Sequence, residues 1–433
     1  MLLNEIIAGI SSEPSRFSWD LKMENWIREA EIATPDAMLF TETKSGEQGP
    51  VVNIVDHILT QAVEAGCSDI HFEPNERCLG VRFRLDGELF EALALPLGIK
   101  NALVSRLKIM ANMDIAEKRL PQDGRFQLLF SGEKVDFRAA TLPTIAGEKI
   151  MLRVLRQDKA LQGLAALGFT DADAKRIHSL IGCPHGMILV VGPTGSGKTT
   201  TLYSILGELN ARNRNIVTLE DPVEYVLPGI NQVPMNSKIG LTFASALRAL
   251  LRQDPDVILV GEIRDKETVN LAVQAALTGH LVFSTLHANS GMGTLTRLYD
   301  MGLERFLIAN SLIGVISQRL VRRLCPHCRE SYCISSTAQE ELGIEMGDSI
   351  FYRSIGCEYC RHLGYVGRIA IYEIFSLEAE IRRAWMDGEN DEETLKDLMH
   401  KLNWKSLWTD GLEKARRGIT SLEEVMKVTL MER

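Results

Sequence analysis

Residues 187–200 read MILVVGPTGSGKTT, an unbroken apolar run followed at once by a glycine-rich loop that ends in Lys198, Thr199 and Thr200. The spelling is that of a nucleoside-triphosphate site. Glycines at 192, 195 and 197 let backbone N–H groups wrap phosphates, Lys198 reaches the outer phosphates, and Thr199 offers a hydroxyl to magnesium. Gly192, Pro193, Thr194, Gly195, Ser196, Gly197, Lys198, Thr199 and Thr200 are the expected binding residues. The helix that follows aims its positive N-terminal end at the same anion.

From about Leu161 onward, short apolar strands alternate with helical segments. The strands fall at 187–191, 216–219, 257–260 and 281–285. That alternation predicts an α/β domain with a mostly parallel sheet and helices on both faces. The segment from Cys325 to Gly367 interrupts the pattern as an insertion, and helices resume from about Ser376.

Upstream, Val51, Ile54, Val55, Ile58, Leu59, Ala62 and Val63 have the spacing of an amphipathic helix. Alternating segments around 69–73 and 79–85 then lead into Asp86-Gly87, a hairpin turn signal. Residues 49–155 are therefore expected to form a small α+β domain, preceded by an appendage and linker over 1–48 that ends in a turn-rich KSGEQGP (44–50). Residues 156–433 form the nucleotide-binding domain, with an insertion at 322–368 and terminal helices over 376–433.

The chain of 433 residues carries a net charge of −9, which supplies no global attraction for nucleic acid. No apolar run approaches the ~18 residues of a membrane helix, and the N-terminus has no basic region before its short apolar stretch. A cytoplasmic protein is expected.

The run DVILVGE (256–262) is a buried strand ending in an acid. Transfer of a phosphoryl group to water needs a carboxylate that orients and deprotonates the attacking water, and Glu262 is the best placed. A second strand ends in EDPVE (220–224), whose carboxylates can hold magnesium or its waters. His280 and His287 bracket the strand LVFSTL (281–286). Cys325, Cys328, Cys357 and Cys360 form two C-x-x-C pairs, a spacing that fits a closed tetrahedral zinc site. His327, Cys333 and His362 stand nearby as spare ligands.

Taken together, SDIH (68–71), RLPQDGR (119–125), the phosphate loop, EDPVE (220–224), GEIRD (261–265), STLH (284–287) and GITS (418–421) resemble the secretion ATPases that assemble type IV pili and type II secretion pseudopili. The four-cysteine insertion resembles the assembly branch of that family. The resemblance implies a RecA-like P-loop ATPase core behind a PAS-like α+β domain, with ATP, Mg2+ and Zn2+ as ligands. It implies a homo-hexamer, peripheral to the inner membrane, that drives a membrane platform protein. Arg138 and Arg153 occupy the positions of arginines that reach bound nucleotide in trans, with Arg125 and Arg119 as weaker candidates. Glu220 and Glu224 match an acidic box beside the metal; His280 and His287 match a box that senses nucleotide state. Catalysis is thus expected from Glu262, Lys198, Glu220, Arg138, Arg153 and His287. The longer family members carry an additional N-terminal domain that docks on an inner-membrane partner, whereas about 48 residues precede the α+β domain in this sequence. A conjugation or helicase ATPase is the alternative of different class, and a non-hydrolysing nucleotide regulator a third. Pilus, pseudopilus and DNA-uptake fibre stay open.

Overall fold

The computed structural model describes residues 19, 21–32, 49–156, 163–210, 213–344, 350–388, 392–401 and 404–429. Most of the expected appendage and all of its 44–48 linker segment lie outside the described residues. The chain divides into two compact units, Met1–Gln157 and Asp158–Arg433.

In the first unit the helix Pro50–Ala65 forms as its spacing predicts. Every apolar residue of the expected stripe is buried, and Gly66 ends it at φ 76°. Fully burying such a side chain contributes about 1.5–3 kcal/mol, so this one stripe anchors the unit. The strands are β1 (Asp69–Pro74), β2 (Leu79–Leu85), β3 (Glu88–Leu95), β4 (Gln122–Phe130), β5 (Glu133–Thr144) and β6 (Gly147–Arg156). They make one sheet in the order β3-β2-β1-β6-β5-β4, antiparallel throughout. The β2–β3 turn is Asp86-Gly87, with φ 49° and 95°. Positive φ at both central residues is what a two-residue turn between right-twisted strands requires. Ser131-Gly132 solves the same problem between β4 and β5.

The second unit holds β7 (Gly186–Val191), β8 (Ile216–Glu220), β9 (Asn231–Pro234), β10 (Val257–Val260), β11 (Leu281–Leu286), β12 (Leu312–Leu324), β13 (Glu330–Cys333), β14 (Ile350–Arg353) and β15 (Tyr365–Ser376). Seven of them form a sheet in the order β15-β12-β7-β11-β10-β8-β9, parallel except for the β12–β15 pair. Strands β7, β8, β10 and β11 are buried at every position. Central strands covered on both faces read as continuous apolar runs, which is why they were visible in the sequence. Alternation then splits β7: Met187, Leu189 and Val191 enter one core, and Ile188 and Val190 enter the other. The insertion lies between the two long antiparallel strands β12 and β15. It adds the β13–β14 ribbon, and its Phe351 packs with Leu412, Ala415, Leu422 and Val425 of the C-terminal helices.

Candidate phosphate-loop site and four-cysteine lobe

In an open parallel sheet ligands bind at the carboxyl ends of the strands. The loop 192–197 leaves β7 at that end and enters the helix Lys198–Leu209. Gly192 sits at φ 149°, and a Cβ there would stand 2.5 Å from the Gln318 carbonyl oxygen of β12. A backbone oxygen held in a sheet cannot yield, so Gly192→Ala will cost on the order of 1–3 kcal/mol of stability. Chemical denaturation, with nucleotide titration in parallel, measures this.

The loop fits a phosphate ligand. Pro193, Thr194, Gly195 and Thr199 are exposed, while the Ser196 hydroxyl is buried without a hydrogen-bond partner among the described residues. Lys198 Nζ donates to the carbonyls of Gly192 (2.8 Å) and Pro193 (3.0 Å), which keeps the ammonium at the loop. Burial lowers the pKa of Lys198; the charge of Arg319 lowers it further, and Glu262 opposes both. Glu262 and Arg319 therefore stand in the electrostatic neighbourhood of Lys198.

Glu262 is the second residue after β10, and its Oε2 accepts from Arg264 Nε at 2.7 Å. The ends of β10 and β11 are tied together: Thr285 Oγ1 donates to the Gly261 carbonyl at 2.7 Å, and Ile263 N to the Thr285 carbonyl at 3.1 Å. His287, exposed just past β11, thus lies at the same end of the sheet as Glu262. His280 does not. It precedes β11, where its carbonyl accepts from Gly186 N at the start of β7, and its ring contacts the Ala275 carbonyl at 2.9 Å. Six residues at ~3.3 Å each place about 20 Å between the two strand ends. The paired histidine box therefore reduces at this site to His287.

Glu220 closes β8 but turns inward, at 4% exposed. Its Oε1 accepts from Thr218 Oγ1 (2.6 Å) and Gln232 Nε2 (3.0 Å), and its Oε2 accepts from the hydroxyl of Tyr203 on the phosphate-loop helix. Burial and this carboxylate push the Tyr203 phenol above its usual range. The carboxylate is thus engaged in tying β8, β9 and the phosphate-loop helix together. Glu224 is half-buried, with its backbone N donating to Tyr203 Oη at 3.3 Å.

Two residues at the site were not singled out in the sequence. Gln318 and Arg319 lie where β12 runs on past the end of β7, and Gln318 Nε2 donates to the Ser196 carbonyl at 2.6 Å.

In the first unit, cross-strand register lines up Arg84, Asp69, Arg153, Arg138 and Arg125 across five strands. Asp69 Oδ1 accepts from Arg153 Nε at 3.0 Å, and its Oδ2 lies 3.7 Å from Arg84 Nε. Arg153, Arg138 and Arg125 thus stand side by side on three adjacent strands. Arg119 stands apart, exposed and paired with Glu117 at 2.9 Å.

The four cysteines converge. Sγ–Sγ distances are 3.9 Å for Cys325–Cys357, 3.8 Å for Cys328–Cys360 and 3.7 Å for Cys357–Cys360. A tetrahedron of Zn–S bonds of ~2.3 Å has sulfurs about 3.8 Å apart, so the set fits the ion. Backbone N–H groups of Cys357 and Gly364 point at Cys360 Sγ, each at 3.2 Å, and that of Gly356 points at Cys328 Sγ at 3.3 Å. Such donors favour thiolate, the ligating form. Cys333, His327 and His362 are not in the cluster.

The parallel sheet, the glycine loop and the acid at the end of β10 define a P-loop ATPase. The chain belongs to the Type II/IV secretion system protein family, whose model matches residues 44–427. It is 46% identical over 421 residues to the type II secretion system protein E of Klebsiella pneumoniae, covering 97% of this chain and 83% of that protein. It is 47% identical over 387 residues to the type II secretion system ATPase E of Vibrio cholerae, covering 89% and 76%. Among solved structures it resembles the pilus retraction motor PilT with bound ADP, at 29% identity and TM-score 0.57 over 86% of this chain and 96% of that one. The fold also matches the Legionella pneumophila ATPase DotB, with TM-score 0.66 at 21% identity over 88% and 96%.

Proposed function

We propose that this chain is the ATP-hydrolysing motor of a type II secretion or type IV pilus assembly machine. Near-half identity along almost its whole length to proteins of type II secretion carries this reading. It works as a homo-hexamer on the cytoplasmic side of the inner membrane, held there by its partners, and drives a membrane platform protein. None of the described helices is long and apolar enough to cross a membrane. Nucleic acid is not a partner: the relatives belong to protein secretion, and the net charge of −9 offers DNA no general attraction.

In this reading residues 192–200 hold the phosphates of ATP, with Lys198 on the outer ones. Magnesium at the Thr199 hydroxyl would supply charge neutralisation. Glu262 orients the attacking water and takes its proton. Glu220 acts at one remove, holding Tyr203 and the loop after β8. Arg153 and Arg138, from a neighbouring subunit, neutralise charge that develops on the transferred phosphoryl group. His287 reports nucleotide state. ATP turnover by the full-length protein, with and without the platform protein of its own system in vesicles, tests the proposal. Stimulation by the platform is expected; stimulation by single-stranded DNA instead would overturn it.

Cys325, Cys328, Cys357 and Cys360 would hold one structural zinc, all four positions being filled by protein. Metal analysis should find about one zinc per chain. Cys360→Ser should lose it and melt at lower temperature, because binding energy at such a site is folding energy. Full retention of zinc by Cys360→Ser would reject the assignment.

A further inference from the structure

Arg319 has no part in the mechanism above, yet it stands at the centre of the site. Ser317 pairs with Val191, the last residue of β7, so Gln318 and Arg319 continue beneath the phosphate loop. Their side chains are only 1% and 5% exposed, and burying such groups is costly unless they are bonded. The bonds are specific. Gln318 Nε2 reaches the Ser196 carbonyl at 2.6 Å. Arg319 Nη1 donates to the Gln318 carbonyl at 3.0 Å, and Nη2 donates to Asn289 O at 3.2 Å and Asn289 Oδ1 at 3.4 Å.

Asn289 is two residues beyond His287, in the exposed loop between β11 and the helix Gly291–Asp300. The far end of that loop is fixed independently, since Gly291 N donates to the buried carboxylate of Glu373 at 2.8 Å. One planar guanidinium therefore joins the strand under the phosphate loop to the loop that carries His287. A lysine would keep the charge but could not fork between both acceptors.

We propose that Arg319 is a positioning residue that couples the 287–290 loop to the phosphate loop, so that what the loop holds is passed to His287 through Gln318, Arg319 and Asn289. The coupling depends on the fork and not on charge alone. It requires only that residues 192–199 bind nucleotide, and so is separable from the trans-arginine reading.

The test is amide hydrogen exchange of peptides spanning 287–290 in the full-length protein, with and without a non-hydrolysable ATP analogue, alongside the affinity for that analogue. In the unmodified protein the analogue should slow exchange of this loop. Arg319→Lys should bind the analogue within about three-fold of normal yet lose that slowing, with kcat down about ten-fold or more. Asn289→Ala, which truncates an exposed side chain, should weaken the response in the same direction, and it decides the matter if Arg319→Lys does not fold. The proposal is overturned if the unmodified loop does not respond, or if Arg319→Lys keeps the response. It is also overturned if Arg319→Lys loses affinity more than ten-fold, which would make Arg319 a direct phosphate ligand.

Discussion

Replacing Arg138 and Arg153 together by alanine is expected to reduce kcat for ATP hydrolysis by about 10³–10⁵, the range that an arginine supplied to a phosphoryl-transfer site is worth. The argument starts in the sheet of the first unit, where Arg153, Arg138 and Arg125 are aligned in register and only Asp69 and Arg84 continue the row on the other side. Asp69 pairs with Arg153 at 3.0 Å. That alignment places three arginines side by side on one face of the sheet, where an incoming anion would meet them. The charge they would meet grows as the terminal phosphoryl group leaves, so the loss should appear in kcat more than in KM. Size-exclusion chromatography must show an unchanged assembly. A kcat within three-fold of normal would reject the role.

Glu262→Gln should lower kcat by about 10²–10⁴ while leaving ATP affinity within a few-fold. The amide keeps the shape and an acceptor for Arg264, which bonds the carboxylate at 2.7 Å, so the local structure has no reason to change. What glutamine cannot do is accept a proton from water. The phosphates remain held by residues 192–200, so binding survives. Equal losses in affinity and rate would move Glu262 from base to ligand.

Much of the second unit was legible because its central strands are buried on both faces, and short, largely apolar runs at 187–191, 257–260 and 281–286, alternating with helical segments, are the pattern of a parallel sheet. The Asp86-Gly87 turn was legible for a local reason, the demand for positive φ. Gln318 and Arg319 were not. They sit mid-strand in a run reading VISQRLVRR (315–323), and only the non-local pairing of Ser317 with Val191 puts them under the phosphate loop. The inward turn of Glu220 has a local signal: Thr218 and Glu220 are two apart on one strand and so share a face, and Thr218 is fully buried. The two histidines around β11 look alike in sequence, and only strand direction separates them, since a parallel strand has one functional end.

Whether the active site is shared between subunits is decided by complementation of two inactive variants. Lys198→Ala ruins the phosphate loop, and Arg138→Ala with Arg153→Ala ruins the contributed arginines. Co-expressed and purified as mixed assemblies, the two should recover ATPase activity far above either alone, because some interfaces unite an intact loop with intact arginines. Mixed assemblies no more active than the variants alone would mean that each chain completes its own site.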